Sequence, residues 1–206
     1  QDGLFFVSGG DDGECKLWDC GRLERDVSFR SRLTYASQGG KVTALLAGAG
    51  HQHAVASASD DGSVHVWRVE YVERRKEGPA QNSNGPLQVE RYTGAAETRQ
   101  VHVNEGAVSA LVKVSPNVLC FATARGGFHG WDLRAPPTQE AWRVRVPPRL
   151  GLVTCAVAGG GGMEDGTTTD AHDQRWVAFG TAAGVLGLTD VRFGVVASAW
   201  RHPGGA

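Results

Sequence analysis

Five stretches of this chain carry residue types that could do chemistry. Gly39-Gly40-Lys41 resembles the end of a phosphate-binding loop, where backbone N–H groups and a lysine meet an anion at a helix N-terminus. No glycine stands five residues earlier, and Val42 follows the lysine where a hydroxyl is required. A strand-like run comes next in place of a helix, so the stretch reads as a turn with an exposed lysine. His51 and His53 alternate with Gln52 and could chelate a metal, but no second His, Cys or carboxylate follows at ligand spacing. They read as solvated loop histidines. Glu164, Asp165, Asp170, His172 and Asp173 form an acidic stretch without the regular oxygen spacing and fixed turn of a calcium loop. Glu73-Arg74-Arg75-Lys76-Glu77 could meet an anionic lipid or an acidic partner through Arg74, Arg75 and Lys76, although its flanking glutamates dilute the charge. Arg134, closing Trp131-Asp132-Leu133-Arg134, is a further candidate contact. No G-x-S-x-G nucleophile motif occurs and no pattern forces two carboxylates together. The expectation is a chain with no catalytic residues, no metal and no cofactor.

The elements that must position these residues announce themselves by repetition. Val7–Asp19 reads as a β-hairpin: an apolar run, then Asp11-Asp12-Gly13, then alternation closing on Trp18-Asp19. The same arrangement returns with Asp61, Gly62 and Trp67, with Gly126, Trp131 and Asp132, and with Gly184 and Asp190, where Thr189 replaces the tryptophan. The turn glycines are 49, 64 and 58 residues apart, longer than the roughly 40–45 residues of a plain four-stranded propeller blade. The surplus falls in two turn-rich insertions, 77–86 and 159–170. Strand-like runs precede three of the hairpins at Val42–Gly48, Ala107–Val114 and Leu152–Ala158. Weaker runs follow all four, at Arg25–Phe29, Gln88–Tyr92, Ala141–Val146 and Val195–Trp200. Four units emerge, approximately 1–30, 40–93, 106–147 and 151–201, of which the first has no room for its leading strand.

These residues resemble the WD-repeat family. The resemblance implies an all-β propeller of about four four-stranded blades, an arc of a larger, seven-bladed ring with an incomplete first blade. Trp18, Trp67 and Trp131 then become core anchors between blades, while Trp142, Trp176 and Trp200 lie outside the repeat position. The family's hydroxyl, eight positions before the tryptophan, is supplied by Ser59, Thr123 and Thr181 but not by Gly10. Its Asp before the turn glycine is kept at Asp12 and Asp61 and becomes Arg125 and Ala183 later. Gln38 and Asn104 stand where its loop histidine belongs. The expectation is a buried polar network incomplete in every unit, with blades held mainly by apolar packing.

A narrower likeness comes from Arg30–Val42, Gly130–Arg134 with Ala141-Trp142, Gly151–Thr154, Gly180-Thr181, and Asp190–Phe193 followed by His202-Pro203. In that order they resemble the C-terminal propeller of the regulatory, protein-kinase-like subunit of the class III phosphatidylinositol 3-kinase complex. The resemblance implies a docking scaffold for protein partners: the lipid kinase catalytic subunit and the beclin-type and adaptor coiled-coil subunits. It implies a cytoplasmic location, peripheral on endosomal and autophagic membranes through the complex. The alternative is a WD-repeat substrate receptor of a cullin-RING ubiquitin ligase, cued by the Trp-Asp-x-Arg ending at Arg134.

Composition fits a scaffold. A formal net charge of −1 gives no bulk attraction for nucleic acid. The 29 glycines suit many tight turns, and no run of about 18 apolar residues offers a membrane span. Cys15, Cys20, Cys120 and Cys155 show no C-x-x-C spacing and read as free thiols of a reducing compartment. The chain opens on Gln1 and has a single Met, Met163, so a piece of a longer protein is expected.

Overall fold

A computed structural model describes residues 5–20, 30–36, 38–50, 53–75, 87–159 and 175–201. Each Asp-Gly or equivalent corner turns the chain back on itself. Gly13, Gly62, Gly126 and Gly184 take φ of 78°, 92°, 83° and 68°, a region in which a Cβ clashes with the backbone. The hairpins so formed grow into antiparallel sheets. The first is three-stranded, β1 (Phe5–Gly9), β2 (Cys15–Asp19) and β3 (Leu33–Tyr35), in that order. The second joins β4 (Val42–Ala47), β5 (Ala54–Ser59), β6 (Ser63–Arg75) and β7 (Leu87–His102). The third joins β8 (Val108–Ser115), β9 (Val118–Thr123), β10 (Gly127–Asp132) and β11 (Trp142–Arg145). The fourth joins β12 (Val153–Gly159), β13 (Trp176–Thr181), β14 (Val185–Asp190) and β15 (Val195–Arg201). Every sheet is a simple meander of sequence neighbours.

The sheets stack face to face, and three apolar clusters fill the three seams between them. Period-2 alternation decides which side chain enters which seam. In the second sheet Val55, Trp67 and Val69 pack with Cys15, Leu17 and Tyr35 of the first. Ala56, Ala58, Val64 and Val66 face the other way, against Leu119, Phe121 and Trp131 of the third. Cys120, Ala122, Phe128 and Val144 of the third sheet then meet Val153, Val177 and Phe179 of the fourth. Because both faces of the two middle sheets are covered, all six residues of β5 are buried.

The outer strands depart from the sequence expectation. Arg25–Phe29 lies outside the described residues, and the outer strand of the first sheet is Leu33–Tyr35. In the second sheet the outer strand is not Gln88–Tyr92 alone: it runs on to His102, beyond the limit of 93 expected for that unit, and its last residues pair with the blade portion of β6 (Ser63↔His102, Val64↔Val101). Gln88–Tyr92 instead pairs with Tyr71–Arg74, so β6 and β7 continue beyond the blade as a hairpin arm with register shifts at Glu70/Tyr71 and Val72/Glu73, a third shift at Val66/Trp67 lying within the blade. An outer strand has one unpaired edge and contributes to only part of a seam, so its apolar pattern is weak and its bounds are hard to read from sequence.

Trp67 and Trp131 are buried between sheets as expected. Trp18 is not. It faces away from the second sheet, half-buried, stacked on Phe6 with ring centroids 6.0 Å apart and its Nε1 donating to Ser8 Oγ at 2.9 Å. The repeat tryptophan points back toward the preceding sheet, and no described sheet precedes the first.

The polar network is also fuller than expected. Gln38 Nε2 donates to the Ser57 carbonyl at 3.1 Å and lies 3.4 Å from Ser63 Oγ. Trp67 Nε1 donates to Ser57 Oγ at 3.2 Å. The tryptophan's partner is therefore the serine ten residues before it, not the hydroxyl eight before. That hydroxyl serves the turn instead, as in Asp61 N–H to Ser59 Oγ at 3.3 Å.

Candidate interaction site between the second and third sheets

The most elaborate polar cluster lies at the seam of sheets two and three. His129, on β10 two residues before Trp131, is 2% exposed and stacks on Phe121 with ring centroids 5.1 Å apart. Its Nε2 lies 3.0 Å from Glu105 Oε2 and its Nδ1 meets Glu140 Oε1. Glu105, in the corner between β7 and β8, also accepts from Thr123 Oγ1 at 3.2 Å and from Arg143 Nη2. Burial raises the Glu105 carboxyl, but the His129 bond, the charges of His129 and Arg143 and the Thr123 bond outweigh it. The group sits below its usual value. Asn104 was the residue expected in the loop-histidine position; its neighbour Glu105 makes the bonds.

The second sheet repeats the motif with different partners. His65, also two residues before the repeat tryptophan, has its Nδ1 2.9 Å from Tyr35 Oη and 3.1 Å from Glu97 Oε2. Tyr35 Oη donates to the same Glu97 oxygen at 2.8 Å, so the first sheet is tied to the second. Sequence reasoning passed over His65, Glu97, Glu105 and Glu140. The available signal was the His-x-Trp pair, His65 with Trp67 and His129 with Trp131.

The third sheet lacks one bond that the first two make. Ser8 and Ser57 accept from their tryptophans, and Phe121 stands at the corresponding position of the third. Trp131 is 2% exposed and its Nε1 has no partner. Beside it is a cleft of about 210 Å³ lined by Val101 and His102 of β7 and Val103 just after it, by Phe121 and His129–Trp131, and by the loop Pro137–Glu140. Arg99 Nη1 reaches from β7 to the Ala135 carbonyl at 2.5 Å and fastens that loop across the seam.

The remaining candidates from the sequence do not join this cluster. Arg134 is exposed in the turn just after β10, and its Nε and Nη2 lie 3.0 and 2.7 Å from the two oxygens of Asp132. Asp190 and Arg192 form the same clamp in the fourth sheet, at 3.1 and 2.6 Å. Hydrogen bonds from the arginine side chain hold both carboxyls below the usual range. Arg74 and Arg75 lie on the arm portion of β6, and Lys76 lies outside the described residues. Lys41 sits in a turn, its N–H donating to Asp60 Oδ1 at 2.8 Å and its Nζ 3.3 Å from Asp11. His53 Nε2 lies 2.8 Å from Tyr71 Oη at the base of the arm. His51 and the acidic stretch from Glu164 to Asp173 lie outside the described residues. Among the described residues no group of three His, Cys, Asp or Glu could hold a metal, and no helix is long and apolar enough to cross a membrane. All four cysteines are free.

The pattern of the WD domain, G-beta repeat matches residues 1–19 and 30–68, the first two sheets. The first two sheets of this chain are WD repeats. The later sheets keep the same meander while replacing signature residues, as at Arg125, Ala183 and Thr189. Along almost its whole length the WD-repeat chain is also similar to two serine/threonine-protein kinases named VPS15. It is 34% identical over 195 residues to the probable vps15 kinase of Dictyostelium discoideum, covering 95% of this chain and 9% of that one. It is 31% identical over 210 residues to VPS15 of Arabidopsis thaliana, covering 98% of this chain and 12% of that one. A shorter match, 32% over 149 residues, is to telomerase protein component 1 of Rattus norvegicus, covering 71% of this chain and 5% of that one. The WD-repeat chain thus spans about a tenth of the length of the curated VPS15 relatives. The shared segment is WD repeat rather than kinase domain.

Proposed function

We propose that this WD-repeat segment is the propeller part of a regulatory subunit of the class III phosphatidylinositol 3-kinase complex. In that role it is a docking scaffold for the adaptor subunits, serving phosphatidylinositol 3-phosphate production in autophagy and in endosomal and vacuolar sorting on cytoplasmic membrane surfaces. The observation that carries this reading is the similarity to two VPS15 kinases over 95% and 98% of the chain. Stacked sheets with polar bonds across the first two seams suit a platform that holds partners in fixed geometry. Any kinase-like domain lies outside this chain. The arm of β6 and β7 continues the pairing of those strands beyond the blade, and it carries Arg74 and Arg75. Its neighbourhood is the docking surface we assign to an acidic partner segment.

The ligase-receptor alternative draws on Arg134, whose Asp-x-Arg clamp recurs at Asp190 and Arg192 as a local turn device. A feature that two sheets share for closing a turn needs no ligase adaptor to explain it. Co-purification from cells tests the proposal. The intact regulatory protein, a form lacking the propeller, and a form with Arg74, Arg75 and Lys76 changed to Glu are compared for recovery of catalytic and adaptor subunits. Removing the propeller should deplete the adaptor subunits, and charge reversal should lower their yield several-fold. Unchanged recovery without the propeller refutes the reading.

A further inference from the structure

We infer that the outer edge of the fourth sheet, along β15, is a strand-addition site for an extended segment of a protein partner. Each sheet ends in an outer strand, and three of the four carry features that discourage a further strand. β3 is three residues long. β11 is four, alternates Arg143 and Arg145 with its apolar residues, and lies between Pro136-Pro137 and Pro147-Pro148. β7 carries Glu97 and Arg99, whose side chains cross to Tyr35 Oη and to the Ala135 carbonyl. β15 has none of these. It is seven residues long, without proline and without a charge before Arg201. Among the described residues no strand pairs with its outer side. Its register shift, at Leu188/Thr189, leaves residues 198–201 in regular pairing with β14.

What such an edge offers defines its occupant. Every second residue of an edge strand turns its N–H and C=O outward. Only another extended main chain matches that row of donors and acceptors along its length. Side chains set the rest. Trp200 stands directly across from Leu186 on one face of the sheet, and the two are 54% and 56% exposed. An added strand lengthens this row by one position, and an apolar residue there would cover the indole. Arg201, also exposed, is the next residue along and the only charge on β15. In an antiparallel partner a carboxylate just before the apolar residue would meet it, and a lysine or arginine there would be repelled. The fitting segment is therefore extended, apolar at alternate positions and acidic at the end that faces Arg201. Strand addition uses the rim of the sheet and not its face, so a further sheet stacked on the fourth would leave the site open. The inference does not depend on membership of a lipid-kinase complex.

Proton–nitrogen correlation NMR of the intact chain reads the site through the β15 amides, and the buried Trp67 indole N–H reports on the integrity of the sheets. The probe is the N-acetylated, C-amidated hexapeptide Glu-Phe-Thr-Val-Thr-Val, which places its Phe across from Trp200 and its Glu across from Arg201. It should shift the β15 amides saturably and slow exchange of the outward-facing ones about tenfold or more, with the Trp67 signal in place. Two further peptides carry N-methyl groups at the odd or at the even positions. An added strand uses only alternate N–H groups, so one of the two should bind about tenfold more weakly and the other about as well as the parent. A peptide held by side chains alone would not distinguish them. Trp200→Ala should weaken the parent probe about threefold, and so should Lys in place of the probe's Glu. Four results overturn the inference: β15 amides unmoved at the solubility limit of the probe, equal binding of the two N-methylated peptides, unchanged affinity in Trp200→Ala, or β15 signals that move with protein concentration alone. The last would give the edge to a second copy of the chain.

Discussion

Changing Gly62 to Ala puts the stacking geometry to a quantitative test, with Gly126→Ala as its internal standard. Both glycines close a hairpin at positive φ, 92° and 83°. Forcing an L-residue there costs about 1–2 kcal/mol. At Gly126 the added methyl would meet the Val146 carbonyl oxygen at 3.3 Å, close but tolerable. At Gly62 it would fall on the carbonyl oxygen of Val103, with the Gly106 oxygen 3.1 Å away. Neither is the end of a flexible side chain. Val103 is itself pinned to Gly62, its N–H donating to the Gly62 carbonyl at 3.1 Å. Relief therefore requires the corner between the second and third sheets to move, a forced backbone shift of about 1–3 kcal/mol more. At about 2–4 °C per kcal/mol for a domain of this size, Gly126→Ala should lower Tm by about 5 °C and Gly62→Ala by about 10 °C. Thermal melts followed by circular dichroism at one protein concentration measure both. A Gly62→Ala drop equal to or smaller than that of Gly126→Ala refutes the placement of the Val103–Gly106 corner over the turn.

Three further outcomes follow from the same geometry. Trp67→Phe loses a buried hydrogen bond to Ser57 and should cost about 1 kcal/mol more in urea unfolding than Trp131→Phe, which loses none; equal costs would contradict the difference between the two seams. Glu105, Asp61, Asp132 and Asp190 all sit below their ordinary values. The unfolded chain then binds more protons than the folded one, so their stabilisation is present above the unfolded carboxylate range near about pH 4 and is lost as pH falls through the lower folded values. Tm should fall between about pH 5 and 3, and Glu105→Gln should make that fall shallower. In a thiol-reagent titration of the native chain Cys155 should react first, since it is exposed; Cys15, buried and pushed up to about 11, and Cys120, pushed higher still by complete burial, should react only on unfolding.

How legible the chain was depended on whether the constraint is local. The four corner glycines and the alternation after them are local demands of a tight hairpin, and Gly13, Gly62, Gly126 and Gly184 all occupy the backbone region that their spacing implied. The central strands of the two middle sheets were legible because both of their faces are buried, as in β5, β9 and β10. The outer strands were not: Leu33–Tyr35 carries a single fully buried residue, Tyr35. The His129 cluster was illegible for a different reason. Glu105, Thr123, His129, Glu140 and Arg143 come from a sheet corner, three strands and a loop, and only the folded register brings them together. Reading the unit as poor in polar bonds followed from looking for a histidine in the loop; here the loop supplies a carboxylate and the strand supplies the histidine.

The tryptophans give the series of sheets a direction. Trp67 closes the seam behind it and Trp131 the next, so a sheet's buried face is completed by its successor. During synthesis at roughly 5–20 residues per second, with successive corners about 50–60 residues apart, each new sheet would wait roughly 3–12 s for the indole that caps it. A nascent chain of this kind always trails one half-finished surface at the ribosome, and the interval before the next tryptophan emerges is when a chaperone has most to protect.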